Sequence, residues 1–119
     1  MKYMLLIYET PDTRELFTGA EGGELMGRVG AIMRELTDSG ELVGTQALAD
    51  PSNAKSVRTS GGSPAITDGP FAEAKEHLGG YVIVECDLER ALDIASRWPA
   101  VRTGGMEVRP IMDVGGAEM

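Results

Sequence analysis

The sequence predicts an α+β fold, a βαββαβ sandwich with an inserted β-hairpin and both helices on one face of an antiparallel sheet. Three observations predict it. Four apolar runs of strand length, "KYMLLIY" at 2–8, "LVGTQAL" at 42–48, "GYVIVEC" at 80–86 and "MEVRPI" at 106–111, are divided by two stretches of helical periodicity that follow the first and third runs. Between the second and third runs, "SVRTS" and "PAIT" flank Gly61-Gly62 as the arms of a short hairpin. Right-handed crossovers place both helices on the same side, the ferredoxin-like order of elements. Hydrophobic residues make up 42% of the 119, enough for one domain spanning 1–119 with a single core. That core must be aliphatic, since the chain holds two Phe, three Tyr and one Trp.

The first run is nearly continuous in apolar residues and ends at "ETPD", which reads as a central strand buried on both faces. Leu25, Val29, Ile32 and Leu36 share one helical stripe, with the helix starting near Gly22 and stopped by "DSG", Gly40 taking the left-handed position. Thr18 and Glu21 have capping-box spacing before it. After the second strand "DPSN" breaks the pattern. In the third strand Val82, Val84 and Cys86 face one way, and Tyr81, Ile83 and Glu85 the other. Asp87 caps the second helix, whose buried face is read as Leu88, Ala91, Leu92, Ala95 and Trp98, and Pro99 ends it. Pro110 cannot donate to a ladder, so the last strand is at an edge or ending there. The tail "GGAEM" is expected to fray. Two helices cover one sheet face only. The other carries Met4, Leu6, Tyr8, Tyr81, Ile83, Glu85, Glu107, Arg109 and Ile111, a mixed surface that suits a homodimer packed sheet against sheet.

The formal charge of −8 opposes a phosphate backbone, which argues against direct nucleic-acid binding. Cys86 is the sole cysteine, so no intrachain disulfide or four-thiolate metal site can form, and it reads as a buried, inert thiol. The apolar run at the N-terminus is too short for a signal-peptide core or a membrane span. A soluble cytoplasmic protein without membrane association is expected. No cofactor motif and no His/Cys cluster with metal spacing is present.

The candidate chemistry concentrates between Asp68 and His77, a connection longer than a hairpin requires. Asp68 suits a general base, or a carboxylate that orients His77; equally, Asp before Gly-Pro suits a turn, where it would cap a short helical turn "FAEAKE" begun by Pro70. His77, the only His, is the natural acid/base, although a lone His at a loop end is often a surface residue. Phe71 either anchors the loop or walls a ligand pocket. Lys75 and Glu76 would position an anionic or hydroxylated small-molecule ligand, or form a solvated turn with weak ion pairs. Arg109 on a half-buried sheet face needs an anion, either Glu85, Glu107 or a ligand. Tyr8 and Tyr81 offer hydroxyls to a cleft or pack across a dimer.

"MKYMLLIYE", "ITDGPFAEAKEHLGGYVIVE" and "RWPAVRTGGMEVRPI" together resemble the YCII-related family in its DGPF-motif branch, over nearly the whole chain. The resemblance implies a dimeric α+β-barrel fold and no settled activity. It carries over to Asp68, in the DGPF motif, a role near a cleft where some members hold a His–Asp pair. The family's His in the first half is absent here, and its "CP" after the second helix reads Trp98-Pro99. The resemblance also implies two functional classes: a small enzyme working by acid/base chemistry, or a ligand-sensing or partner-binding accessory to an extracytoplasmic-function sigma factor in transcription regulation.

Overall fold

A computed structural model describes residues 1–72, 74–113 and 115–117. Glu73 of the connecting segment, and Val114, Glu118 and Met119 of the tail expected to fray, lie outside the described residues. The elements run β1 (Lys2–Glu9), α1 (Pro11–Thr18), α2 (Gly22–Ser39), β2 (Leu42–Ala47), β3 (Lys55–Ser60), β4 (Ser63–Asp68), β5 (His77–Glu85), α3 (Leu88–Arg97) and β6 (Gly105–Pro110), with short 3₁₀ turns at Pro51–Asn53 and Pro99–Arg102. Strands β2-β5-β1-β6 form one antiparallel sheet in that order, and β3-β4 form a separate two-stranded ribbon. This is the expected α+β, ferredoxin-like arrangement with its inserted hairpin.

The core lies between that sheet and the helices. Leu5, Leu36, Val82, Val84 and Ile94 are wholly buried, and Trp98 nearly so. As the alternation predicts, Tyr3, Leu5, Val82 and Val84 point to the helices, while Met4, Leu6, Tyr8, Tyr81 and Ile83 remain half-buried on the open face. β1 is central, but only its helix-facing side is sealed within one chain. Gly40 closes α2 at φ 77°, its N–H donating to the Leu36 and Thr37 carbonyls while Glu41 N–H reaches back to Leu36. Across the helical layer, Arg90 of α3 donates to Glu35 at 2.8 Å and to Glu41 at 2.9 Å, and Arg97 donates to Glu35 at 2.7 Å. The Arg97 and Arg90 guanidiniums hold the Glu35 carboxyl down at about 2.

Four local expectations need correction. An additional helix, α1, joins the two expected ones, beginning within the "ETPD" break and running to Thr18. Thr10 caps it, accepting from Thr13 N–H while the Thr13 hydroxyl accepts from Thr10 N–H, and Pro11 starts its first turn. The Thr18/Glu21 spacing caps nothing, since Glu21 precedes α2 without a side-chain cap bond. The buried face of α3 is rotated: Ala91, Ile94 and Ala95 are buried, whereas Leu88 and Leu92 are about half exposed, at 50% and 49%. No helical turn forms over the described residues between Gly69 and Glu76. There Arg58 of β3 donates to the Phe71 carbonyl at 3.0 Å and lays its guanidinium over the Phe71 ring, which straps the segment against the ribbon.

The ribbon extends from the body. Gly61 and Gly62 make its two-residue turn at positive φ, and Val57 and Ile66, paired across it, are 57% and 73% exposed. The radius of gyration is 16.2 Å, against roughly 13–14 Å for a compact chain of this length.

Candidate functional site

The site is built where β1 and β5 leave the core. From Lys2 to Ile7 the two strands pair residue for residue, ending with Ile7 opposite Gly80. The next pair is Tyr8 with Leu78, and then Glu9 with His77, so Gly79 is the extra residue of a β-bulge. The bulge reverses the facing of everything beyond it. By strict alternation His77 would share the open face with Tyr81; after the bulge it lies on the side of Glu9, which follows Leu5 and Ile7 toward the helices. Both side chains line the same cavity of about 450 Å³, together with Thr10, Arg14, Glu15 and Asp50.

Gly79 also makes room. A Cβ there would lie 2.3 Å from the Glu9 Cδ and 2.5 Å from its Oε1, so the carboxylate occupies the place of the missing side chain. Beside it, a Cβ on Gly80 would meet the Gln46 carbonyl of β2 at 2.7 Å. The two glycines of "LGGY" therefore have different tasks: one admits a carboxylate, the other lets two strands approach.

The cavity walls are fixed. Arg14 pairs with Asp50. Asp50 also accepts from the Ser52 hydroxyl and, at 2.9 Å, from Ser52 N–H, and these bonds, aided by Arg14, hold its carboxyl below the usual range. The buried Thr13 hydroxyl meets that of Thr103 at 2.7 Å, which ties α1 to the loop before β6. Against this committed frame, Glu9 and His77 take part in no side-chain hydrogen bond or ion pair among the described residues. Two groups able to move protons thus face one cavity without a partner among the described residues.

Two more cavities adjoin it. One of about 500 Å³ shares His77 and Asp50 and extends under Phe71 and Glu76. The other, about 490 Å³, shares Glu9 and Gly79 and runs beneath α2 between Ile7, Met33 and Trp98. The expected site residues divide accordingly. His77, Phe71 and Glu76 meet in the first of these neighbours. Lys75 is exposed and lines none of the three. Tyr8 and Tyr81 are on the open sheet face; Arg109 pairs there with Glu107, one of the two internal partners expected for it. Asp68, its side chain 87% exposed, pairs with Lys55 across the ribbon. No hydrogen bond of Asp68 with His77, Lys75 or a backbone N–H is present among the described residues, and it lines none of the three cavities. Glu9 is the residue that sequence reading missed. Its signal was an acidic residue ending a buried strand that must pair with "HLGG".

A family profile for the YCII-related domain matches residues 1–115. The chain belongs to the YCII-related family. An uncharacterised protein of Rhizobium meliloti (strain 1021) is similar to it throughout, 32% identical over 114 residues, which cover 93% of this chain and 92% of the relative. Membership of the YCII-related family accords with the element order and the four-stranded antiparallel sheet described above. Among the described residues no helix is long and apolar enough to cross a membrane.

Proposed function

We propose that this chain is a small homodimeric cytoplasmic enzyme of the DGPF branch, which moves a proton on a small molecule bound between Glu9 and His77. One observation carries the reading: the Gly79 bulge turns His77 onto the face of Glu9, at the wall of a cavity where neither side chain has a described partner. An imidazole can take a proton at one nitrogen while donating from the other, and a neighbouring carboxylate orients it or receives the proton. His77 and Glu9 in this reading do together what a His–Asp pair would do, and Asp68 serves the ribbon through Lys55. The dimer is supported by the open sheet face, whose Met4, Leu6 and Ile83 are left half-buried by one chain.

Proton transfer at carbon is read directly by deuterium incorporation. The protein is incubated in D2O with a set of small ketones, enols and phenols, and exchange is followed by NMR. General acid–base groups contribute roughly 10²–10⁴-fold. His77→Gln and Glu9→Gln should therefore each lose at least ~10²-fold of the acceleration, while Asp68→Asn keeps it. Exchange that survives His77→Gln, or that needs Asp68 and not Glu9, overturns the assignment.

A second reading, a partner-binding accessory to an extracytoplasmic-function sigma factor, is favoured by the exposed Val57, Ile66 and Phe71. Binding to such a factor weaker than ~10 µM would sink it.

A further inference from the structure

The cavity beneath α2 is distinct in character from the polar cavity it adjoins. Ile7, Phe17, Met26, Val29, Met33 and Trp98 supply an apolar lining, and Glu9 stands at the junction with the polar cavity. Its volume of about 490 Å³ is in the range of small-molecule pockets, roughly 300–1,000 Å³, and a lining of this kind favours apolar matter over water. The charge at the junction is one-sided. Glu9, Glu15 and Asp50 face the Arg14 guanidinium and the His77 imidazole, and Arg14 is already paired with Asp50. An anionic head group would meet two uncompensated carboxylates there; a cationic one would complete Glu9.

We propose that this cavity is a binding pocket for a small primary amine that carries an aromatic-sized apolar body. The body lies against Trp98, Met33 and Phe17, and the ammonium donates to the Glu9 carboxylate. The inference rests on the cleft proposed above, and it names the class of molecule that the cleft receives. Met33 and Met26 suit such a body, because a thioether chain adapts its shape and packs well against aromatic rings.

Trp98 is the sole tryptophan and lines the pocket, so its emission reports occupancy. Three probes separate the contributions: 2-phenylethylamine has body and ammonium, phenylacetate has the body with the opposite charge, and methylamine has the head alone. 2-Phenylethylamine should perturb Trp98 at concentrations at least tenfold below the other two. Glu9→Gln should erase the preference for amine over carboxylate, and Ala47→Leu, which narrows the pocket from an exposed strand position, should weaken binding of 2-phenylethylamine at least tenfold with native circular dichroism retained. Equal binding of phenylacetate or of methylamine overturns the proposal. So does an unchanged Trp98 emission together with unshifted Met26 and Met33 methyl resonances up to ~10 mM probe, a Kd beyond the weakest useful affinity. Deuterium exchange without amine binding would sink this inference and leave proton transfer standing; amine binding without exchange would do the reverse.

Discussion

Gly79 and Gly80 are neighbours, yet alanine at the two positions should have opposite consequences. At Gly80 the added Cβ meets backbone: the Gln46 carbonyl at 2.7 Å and the Ala47 Cα at 3.3 Å. Neither can swing away, so β2 must move off β5 or the ladder must distort. Overpacking of this kind costs about 1–3 kcal/mol. For a chain of this length each kcal/mol lowers Tm by roughly 4 °C, so Gly80→Ala should melt roughly 4–12 °C early. At Gly79 the three atoms nearest the Cβ all belong to Glu9, with Cδ at 2.3 Å and Cγ at 2.7 Å, and Glu9 is a flexible side chain on the cavity wall. Its φ is not positive, so alanine is tolerated by the backbone. The cost of rotating Glu9 out of the way and the lower entropy of the unfolded alanine chain offset each other, leaving a Tm change within about 4 °C. The carboxylate, however, is expelled from its place. Deuterium exchange and amine binding should therefore both fall at least tenfold in Gly79→Ala, whereas in Gly80→Ala, which borders the amine pocket but not the polar cavity, exchange should survive. Thermal melting by circular dichroism beside both assays decides the matter. A Gly79→Ala protein that melts earlier than Gly80→Ala, or keeps full binding, would overturn these separate tasks for the two glycines.

Three further outcomes follow from the packing and the charges. Ile94→Ala, at a wholly buried position, should cost about 2–5 kcal/mol in urea unfolding, while Leu92→Ala, 49% exposed on the same helix, should stay within about 0.5 kcal/mol; equal costs would restore the helix face read from the sequence. The Glu35 carboxyl sits at about 2 in the folded chain against an ordinary 4.5, so its ionised form favours folding, fully above about 4.5 and progressively less as pH falls through 2. Glu35→Gln should accordingly flatten the fall of Tm over that acid range, with a smaller difference in ~0.5 M salt, and an unchanged slope would show the Arg90 and Arg97 pairs to be inert. Burial raises the Cys86 thiol above its usual range, so Ellman's reagent at pH ~8 should label the native chain at least tenfold more slowly than the urea-unfolded one.

Much of the fold could be read from the sequence because its signals were local. α2 begins at Gly22 and stops at Gly40, since Leu25, Ile32 and Leu36 form one stripe and Gly40 alone accepts the left-handed turn without cost. The hairpin around Gly61-Gly62 followed from the same turn chemistry. What escaped depended on partners distant in sequence. α1 starts at Thr10-Pro11, a sound local signal, but its capping box closes with Thr13 where Glu or Gln is the usual partner. In α3, Leu88 and Leu92 fit a stripe with Ala91 as well as Ile94 does, and only the position of the sheet decides which residues are covered.

The candidate site was legible by half. His77 was singled out from composition, but strict period-2 alternation assigns it to the wrong face, because a bulge has no signature beyond the paired glycines. Glu9 and His77 are 68 positions apart, and their meeting depends on a register that β1 and β5 establish together. Asp68 stood out for its motif, yet its described partner is Lys55, directly opposite it in the ribbon.

In the folded chain the Gly79 bulge sets His77 beside Glu9 and away from Tyr81. Residues directly opposite on antiparallel strands have Cβ atoms about 4.5–5.5 Å apart, within reach of a nuclear Overhauser effect. The measurement is a NOESY spectrum of the labelled protein, read at the His77 imidazole protons, which are unique in the chain. Cross-peaks from His77 to the Glu9 Hβ and Hγ protons, with none to the Tyr81 ring, are predicted. Cross-peaks to Tyr81 and none to Glu9 would put the imidazole on the open face and contradict the account.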